Sequence, residues 1–246
     1  MLDVNADELV PGSVVHTAMR VRVGGSAVTA ALAAAVEGVD SAVVGRVGDD
    51  FAGRAVHDEL VAAGVEPLLQ VDPVLPTGTF FQGGAGTIVA DRGANVALAA
   101  GTISADAILV SGYFLFQTDG DPLERMQADW LAVDAGSPRL VRLEPTAGAN
   151  ALFADEEELA ALGGDVDALT SRFRLFCVKR GPERASAYLD GAVWERTPAE
   201  RVASVQAGGG DAFAGSLLAS LVLGRDVGDA LARACTAGAH AVSAVG

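Results

Sequence analysis

The chain has 246 residues and a formal net charge of −15 at pH 7, which argues against nucleic acid or an anionic membrane surface as a partner. Half of the residues are apolar but only 5% are aromatic, so the surplus of Ala and Val predicts helices packed closely on a Val- and Leu-rich sheet. The longest Ala-rich run, 28–36, is too short to span a bilayer. With no recognisable signal peptide and no metal-ligand spacing at Cys177 and Cys235, we expect a single cytoplasmic domain.

The first ninety residues combine alternating strands and helices with a second group of short β-prone pieces. No apolar strand stands in front of Asp3. The elements predicted by periodicity and capping are a helix at 27–36 after Gly24-Gly25-Ser26, a buried strand at 42–45, and a helix from Asp49/Asp50 to 63 closed by Gly64. The pieces at 14–23, 65–81 and 87–90 interrupt this alternation with Pro and Gly, which predicts a small sheet that forms a lid.

From residue 107 the alternation of strands and helices returns. The predicted elements are strand 108–110, helix 122–129, strands 131–133 and 151–153, helix 156–162, strand 176–179, a hairpin of 185–189 with 193–196, and helices 209–223 and 227–244. This order predicts an α/β fold with a mostly parallel, doubly wound sheet covered by helices on both faces. Ligands bind such sheets beyond the carboxyl ends of the strands, so the loops after strands are the candidate sites.

The stretch Gly208-Gly209-Gly210-Asp211 opens the penultimate helix. Three glycines leave the first N–H groups free to close on an anion, and the helix dipole favours negative charge there. An acid in that turn would repel the anion unless it worked as a base, so Asp211 is a candidate for deprotonating an attacking hydroxyl. The alternative is an ordinary glycine turn with an acid that complements the dipole.

Three other loops also carry candidate residues. Gly24-Gly25 opens a helix, Asp155 to Glu158 follow a strand, and Lys179-Arg180-Gly181 is a cation pair that leaves a strand directly. Taken alone, the Gly-Gly pair is as well explained by a turn, the acidic segment by a solvated helix start that complements the helix dipole, and the cation pair by surface charges.

Together these residues resemble the ribokinase-like (PfkB) family of carbohydrate kinases. The family's signature Asp-Thr-x-Gly-Ala-Gly-Asp-x-Phe is matched at Gly208, Gly210, Asp211 and Phe213. The family's Gly-Gly helix start is matched at 24–27 and is followed by the typical segment 47–53, while 91–95 and 111–113 are similar to segments of related members. Four ordered matches are far more specific than any single glycine motif.

The resemblance implies an ATP-dependent kinase that uses Mg²⁺ and phosphorylates a hydroxyl of a sugar or sugar-like substrate, with a ribokinase-like fold. It implies Asp211 as the base and the amides of Gly208, Gly209 and Gly210 as the anion hole. It places Asp3, with Asp7 as the fallback, and Gly24, Gly25 and Thr29 at the sugar, Asp155 and Glu158 at the metal, and Lys179, Arg180, Gly181, Cys235, Gly238 and Ala239 at the nucleotide. In the family the lid closes over the sugar and often mediates dimers.

The chain departs from the family pattern at several positions. Val205 replaces the first Asp of the signature, so we expect no monovalent-cation site; Thr29 replaces an Asn, Arg184 stands where a second glycine is common, and no strand precedes Asp3. In the family that strand is central to the sheet, so either the protein starts upstream of Met1 or the fold has rearranged.

The alternative function is a kinase-like protein that binds a sugar or nucleotide without turnover. A dinucleotide-binding domain is disfavoured because no Gly-x-Gly-x-x-Gly follows a first strand.

Overall fold

The coordinates come from a computed structural model that describes residues 2–4, 19–82, 88–198 and 207–243, with only the backbone described at 2–4 and 19–20. Along these residues the chain forms, in order, β1 (Leu2–Val4), β2 (Met19–Val21), α1 (Ser26–Glu37), β3 (Ser41–Gly48), α2 (Phe51–Ala62), β4 (Val65–Asp72), β5 (Thr77–Gln82), β6 (Ile88–Gly93), β7 (Ile103–Ser104), β8 (Ala107–Ser111), α3 (Gly112–Leu115), β9 (Met126–Gln127), β10 (Trp130–Asp134), β11 (Ala151–Asp155), α4 (Glu156–Ala161), α5 (Val166–Arg172), β12 (Leu175–Lys179), β13 (Ala185–Leu189), β14 (Ala192–Arg196), α6 (Gly209–Val222) and α7 (Val227–Ser243).

The central sheet has the strand order β14-β13-β12-β11-β10-β8. Strands β8, β10, β11 and β12 are parallel, and β13 and β14 add an antiparallel hairpin at one edge. This confirms the predicted α/β fold with a mostly parallel sheet, and the hairpin predicted at 185–196.

Helices cover both faces of this sheet because side chains alternate along each strand. Leu131 and Val133 of β10 face a core that includes Leu169 of α5. The intervening Trp130 and Ala132 face the opposite core, which α6 and α7 close. The resulting layers leave the carboxyl ends of β8, β10, β11 and β12 together at one edge.

Two smaller sheets hold strands β1 to β6. A four-stranded sheet has the order β2-β1-β5-β6, and β3 pairs with β4 alone in a two-stranded parallel sheet. Helix α1 packs closely against α6. The close approach is possible because residue 215 is a glycine, since a Cβ at this position would collide with the carbonyl of Ala30.

Three sequence expectations differ from the observed elements. Segment 65–72, expected in the lid, pairs with β3 instead, because α2 is a crossover that returns the chain beside the strand it left. The strand β1, which contains Asp3, was not predicted from the sequence. The helix expected at 122–129 is a 3₁₀ turn at Pro122–Arg125, after which the chain extends to pair β9 with β7.

Candidate functional site

Four polar residues end four neighbouring strands of the central sheet. Ser111 of β8 lies opposite Asp134 of β10, and Asp155 of β11 lies opposite Lys179 of β12. Each follows a run of apolar residues, which is buried in β10, β11 and β12 and mostly half-buried in β8, so the strand fixes where its last side chain stands. The parallel register therefore places two carboxylates and one ammonium group at the same edge.

Asp134 and Lys179 form a buried ion pair. The Nζ of Lys179 donates to Oδ1 and Oδ2 of Asp134 at 2.8 and 2.9 Å, and the two side chains are 14% and 7% exposed. Burial alone would lower the pKa of Lys179, but the charges of Asp134 and Glu158 outweigh it and raise that pKa. The lysine is therefore held protonated at the sheet edge.

The glycine turn before α6 lies against this lysine. Gly208 has φ of 108°, which favours glycine, and it caps the helix without a side-chain hydrogen bond. A Cβ at Gly210 would lie 3.1 Å from Nζ of Lys179. The N–H of Ala212 donates to the carbonyl of Gly208, so the preceding amides are the ones that an α-helix leaves without an intrahelical acceptor. A positive helix end and an ammonium group thus converge on one point.

Asp211 stands in the first turn of α6, half-buried beside the ion pair. Burial and the negative charge of Asp134 raise its pKa to about 6, although Lys179 and a hydrogen bond with the Ser26 side chain act in the opposite direction. A carboxylate with a pKa close to the working pH, at an anion-binding helix end, is suited to accept a proton in a reaction.

Asp155 and Glu158 cap the start of α4. Oδ1 of Asp155 accepts from the N–H of Glu158, and Oε2 of Glu158 accepts from the N–H of Asp155, each at 2.8 Å. Glu158 is 4% exposed, and its burial raises its pKa to about 7 despite the nearby charge of Lys179. This capping box uses one oxygen of each carboxylate, and the other oxygen of each takes no part in the capping contacts.

The substrate-side residues predicted from the sequence lie around the start of α1. Gly25 has φ of 108° at the helix cap, and Thr29 is the side chain nearest to a Cβ built at Gly208, at 3.5 Å. Gly24 and Gly25 both line the cavity that contains Asp211. Asp3 pairs with Gln82, whose Oε1 accepts from the N–H of Ala207. The side chain of Asp3 and the whole of Asp7 and Val205 lie outside the described residues.

The predicted nucleotide-side residues have varied environments. Arg180 already donates to Glu156 at 3.0 Å and to Ser186 at 2.9 Å. Gly181 follows with φ of 52°, which glycine tolerates.

On α7, Cys235 is buried and its thiol faces the carbonyl of Arg196. A Cβ at Gly238 would come within 2.9 Å of the carbonyl oxygen of Gly209, so Gly238 allows α7 to pack against the glycine turn. Ala239 also lines the cavity.

Three site residues were missed by the sequence reasoning. Asp134 ends a buried strand, and ligands bind beyond the carboxyl ends of such strands, so its position was one available signal. Its partner Lys179 is 45 residues away in the sequence, so the ion pair itself could not be seen from a local pattern. Ser26 was noted only as a helix cap, whereas its side chain hydrogen bonds to Asp211. Tyr113 lines the same cavity as Asp211 and Glu158, and its pKa is raised by burial and by the charges of these two acids.

The site opens into one continuous cavity of about 2950 Å³. Its lining includes Asp211, Lys179 and Glu158, the glycine turn, and the α7 segment 235–242. Among the residues that the structure describes, no three His, Cys, Asp or Glu side chains gather as a metal cluster, and no helix is long and apolar enough to cross a membrane.

The family model of the pfkB family carbohydrate kinases matches residues 1–246. The chain belongs to this family. No curated protein matches the sequence at a significant level.

Solved structures of this family's fold resemble the chain along most of its length. Ribokinase from Thermotoga maritima has a TM-score of 0.83 and 20% identity, over 100% of this chain and 90% of that one. Nucleoside kinase from Methanocaldococcus jannaschii has a TM-score of 0.79 and 17% identity, over 100% and 89%. Adenosine kinase from Sinorhizobium meliloti has a TM-score of 0.79 and 19% identity, over 93% and 79%. These likenesses show the ribokinase-like fold, and with the family they support a sugar or nucleoside kinase.

Proposed function

We propose that this PfkB-family protein transfers the γ-phosphate of ATP to a hydroxyl group of a sugar or sugar-like substrate. The observation that carries the proposal is Asp211, a carboxylate with its pKa raised to about 6 in the first turn of a helix that presents glycine amides beside a buried lysine. Phosphoryl transfer requires mainly positioning and charge stabilisation. The glycine amides and Asp211 lie within one turn of α6, and Lys179 at the end of β12 lies beside that turn.

Asp211 acts as the base in this proposal. Its carboxylate accepts the proton of the substrate hydroxyl as the oxygen–phosphorus bond forms and the bond from the γ-phosphorus to the ADP oxygen breaks. The hydrogen bond with Ser26 orients the carboxylate. Burial and the negative charge of Asp134 raise the pKa of Asp211, which makes the carboxylate a stronger base at neutral pH.

Lys179 and the amides of Gly208, Gly209 and Gly210 stabilise the negative charge of the transferring group. The ammonium group is fixed by two hydrogen bonds to Asp134, so no reorganisation is needed when charge develops beside it. A Cβ at Gly210 would approach Nζ of Lys179, and glycine keeps this space open. One such donor is typically worth ~3–4 kcal/mol of transition-state stabilisation.

The donor set at Asp155 and Glu158 fits Mg²⁺, because this ion is usually held by one or two carboxylates, waters and substrate phosphates. Each carboxylate engages one oxygen in the capping box and can direct the other to a hydrated ion. A bound Mg²⁺ would supply positive charge that neutralises the phosphates of ATP. We assign the nucleotide to Arg180, Gly181 and the α7 residues Cys235 to Ala239, which line the same cavity.

The substrate side is assigned to Gly24, Gly25 and Thr29 at the start of α1, with Asp3 on the adjoining sheet. In this assignment the sheet β2-β1-β5-β6 is the lid over the substrate, and it offers the surface for a homodimer. The chain is a single ribokinase-like domain in this view. Polar side chains at this end would select among sugars and nucleosides.

Turnover measured on a panel of sugars and nucleosides with Mg²⁺ and ATP tests the proposal. We expect ADP formation that depends on one class of acceptor and that falls by ~10²–10⁴ in Asp211→Asn. The matched control is Asp229→Asn, which changes an exposed acid in the first turn of α7 and should retain activity. An Asp211→Asn variant as active as the wild-type protein would overturn the assignment of the base.

A second candidate is a kinase-like protein that binds nucleotide or sugar without turnover. It is favoured by one observation, the separation of β3 and β4 from the central sheet. Calorimetry with ATP on the same samples distinguishes the two functions, because binding without ADP formation supports the second.

A further inference from the structure

Gln82, the last residue of β5, connects the sheet β2-β1-β5-β6 to the glycine turn 208–210. Its side-chain Oε1 accepts from the N–H of Ala207 at 3.2 Å, although the two residues are 125 positions apart in the sequence. Gln82 is only 5% exposed. Ala207 directly precedes Gly208, the N-cap of α6. This contact therefore joins the sheet that is assigned above as the lid, which we name the lid sheet, to the start of α6.

The glycine turn depends on its neighbours for a fixed shape. Its three successive glycines have no Cβ, so their backbone angles are the least restricted of any residues. Gly208 also offers no side chain that could cap the start of α6. A hydrogen bond to the residue just before the turn limits the direction from which the chain enters it. The same bond therefore limits where the amides at 208–210 point.

A network of hydrogen bonds holds the first residue of β5. Oδ2 of Asp50 accepts from the N–H of Thr77 at 2.7 Å, and Oδ1 accepts from the Thr77 hydroxyl at 2.6 Å and from the N–H of Gly53 at 2.7 Å. The Thr77 hydroxyl oxygen accepts in turn from the N–H of Gly48 at 2.9 Å. Strand β5 has six residues, so its end residues lie about 17 Å apart at about 3.3 Å per residue. The strand thus connects the start of α2 to the glycine turn.

The lid sheet and the glycine turn border the same cavity. Phe80 of β5 and Ala90 of β6 are paired in register, and both line the cavity together with Asp211 and the turn. A molecule that fills this cavity would contact the lid sheet and the turn together. A shift of β5 would reach Ala207 through the side chain of Gln82.

We propose that Gln82 is a positioning residue that couples the lid sheet to the glycine turn. The Gln82 side chain fixes Ala207 and so holds the amides at 208–210 in the arrangement that receives the γ-phosphate of ATP. This inference rests on the proposed function, which assigns these amides to the anion hole. Because coupling between two sites is reciprocal, a phosphate bound at the turn also orders the lid sheet.

The first measurement tests the contact without a ligand. In the full chain, ¹⁵N relaxation gives the order parameters of the amides at 208–210. We expect about 0.85 for the wild-type protein and below about 0.6 for Gln82→Met, which is similar in length but has no strong acceptor. Gln82→Glu keeps an oxygen that can accept from Ala207 and should stay near the wild-type value. The matched control is Gln70→Met, which removes a glutamine of β4 that donates to the carbonyl of Ala99 and should leave these values unchanged.

The second measurement tests the coupling. Hydrogen exchange at the amides of β5 and β6 is compared in the presence of saturating ADP and of the non-hydrolysable ATP analogue AMP-PNP, each with Mg²⁺. AMP-PNP carries the terminal phosphate that the glycine turn would receive, and ADP lacks it. In the wild-type protein we expect AMP-PNP to slow this exchange at least about five-fold more than ADP does. In Gln82→Met the difference should disappear, although calorimetry still detects binding of both nucleotides.

A role of Gln82 in folding stability alone would leave the difference between AMP-PNP and ADP intact. The proposal would therefore be overturned if this difference survives in Gln82→Met or is missing from a wild-type protein that binds both nucleotides. Unchanged order parameters in Gln82→Met, or the same loss of order in Gln82→Glu, would also overturn it. If AMP-PNP does not bind the wild-type protein, the proposed function fails, and the order parameters alone decide the role of Gln82.

Discussion

Replacing Asp211 by Asn should lower activity and raise stability at the same time. The pKa of Asp211 is raised from 3.8 to about 6, mainly by burial and by the charge of Asp134. Ionising this group therefore costs more in the folded protein than in the unfolded chain. A rise of about two pKa units corresponds to about 3 kcal/mol, at about 1.36 kcal/mol per unit.

The sign of this effect depends on pH. Below about pH 4 the Asp211 carboxyl is protonated in the folded and the unfolded protein, so it does not lower the free energy of unfolding. As the pH rises from about 4 through about 6, the free energy of unfolding of the wild-type protein falls, because the carboxyl ionises more readily in the unfolded chain. Asn stays neutral throughout. We therefore expect Asp211→Asn to be more stable than the wild-type protein by about 3 kcal/mol at pH 8 and equally stable below pH 4.

Urea denaturation at pH 4 and pH 8 measures this difference in the free energy of unfolding. Asp229→Asn is the control, because Asp229 occupies the first turn of α7 but is exposed; it should change stability by less than about 1 kcal/mol at either pH. Equal stabilities of Asp211→Asn and the wild-type protein at pH 8 would refute the reasoning about burial and repulsion.

Three further variants test neighbouring parts of the structure. Asp134→Asn should lower the free energy of unfolding by about 3–5 kcal/mol in urea denaturation, because it leaves Lys179 buried without its partner. Replacing Asp134 by Leu and Lys179 by Met together should recover most of that loss, and a failure to recover would contradict this explanation. Glu158→Gln should gain stability over the wild-type protein as the pH rises from 4.5 through about 7, since the pKa of Glu158 is raised to about 7 by burial; a gain that does not change with pH would count against it. Gly215→Ala should melt at a far lower temperature in a thermal scan, because its Cβ would meet a backbone carbonyl of α1, whereas Gly101→Ala has open space and should melt like the wild-type protein.

Much of the fold could be predicted because its signals are local. The alternation of strands and helices, the hairpin at 185–196 and the glycine turn at 208–211 are each visible within about ten residues. The placement of 65–72 was missed because periodicity predicts a strand but does not identify its partner. Partner choice depends on the crossover helix α2, which lies earlier in the chain.

The candidate site was predicted in part for the same reason. Asp211, Lys179 and Glu158 were found because each stands beside a turn or a strand end. Asp134 was missed because its importance comes from Lys179, a residue far away in sequence that only the parallel register brings near. The raised pKa of Asp211 depends on this same pair and on burial, which no local pattern encodes.

In the proposed reaction this chain transfers a phosphoryl group with Asp211 as the base. Its most direct test is ³¹P NMR of the wild-type protein and Asp211→Asn with ATP, Mg²⁺ and a panel of sugars and nucleosides. We expect a phosphate ester of one acceptor class from the wild-type protein and a rate ~10²–10⁴ lower from the variant. No ester with any acceptor, or the same rate from both proteins, would contradict it.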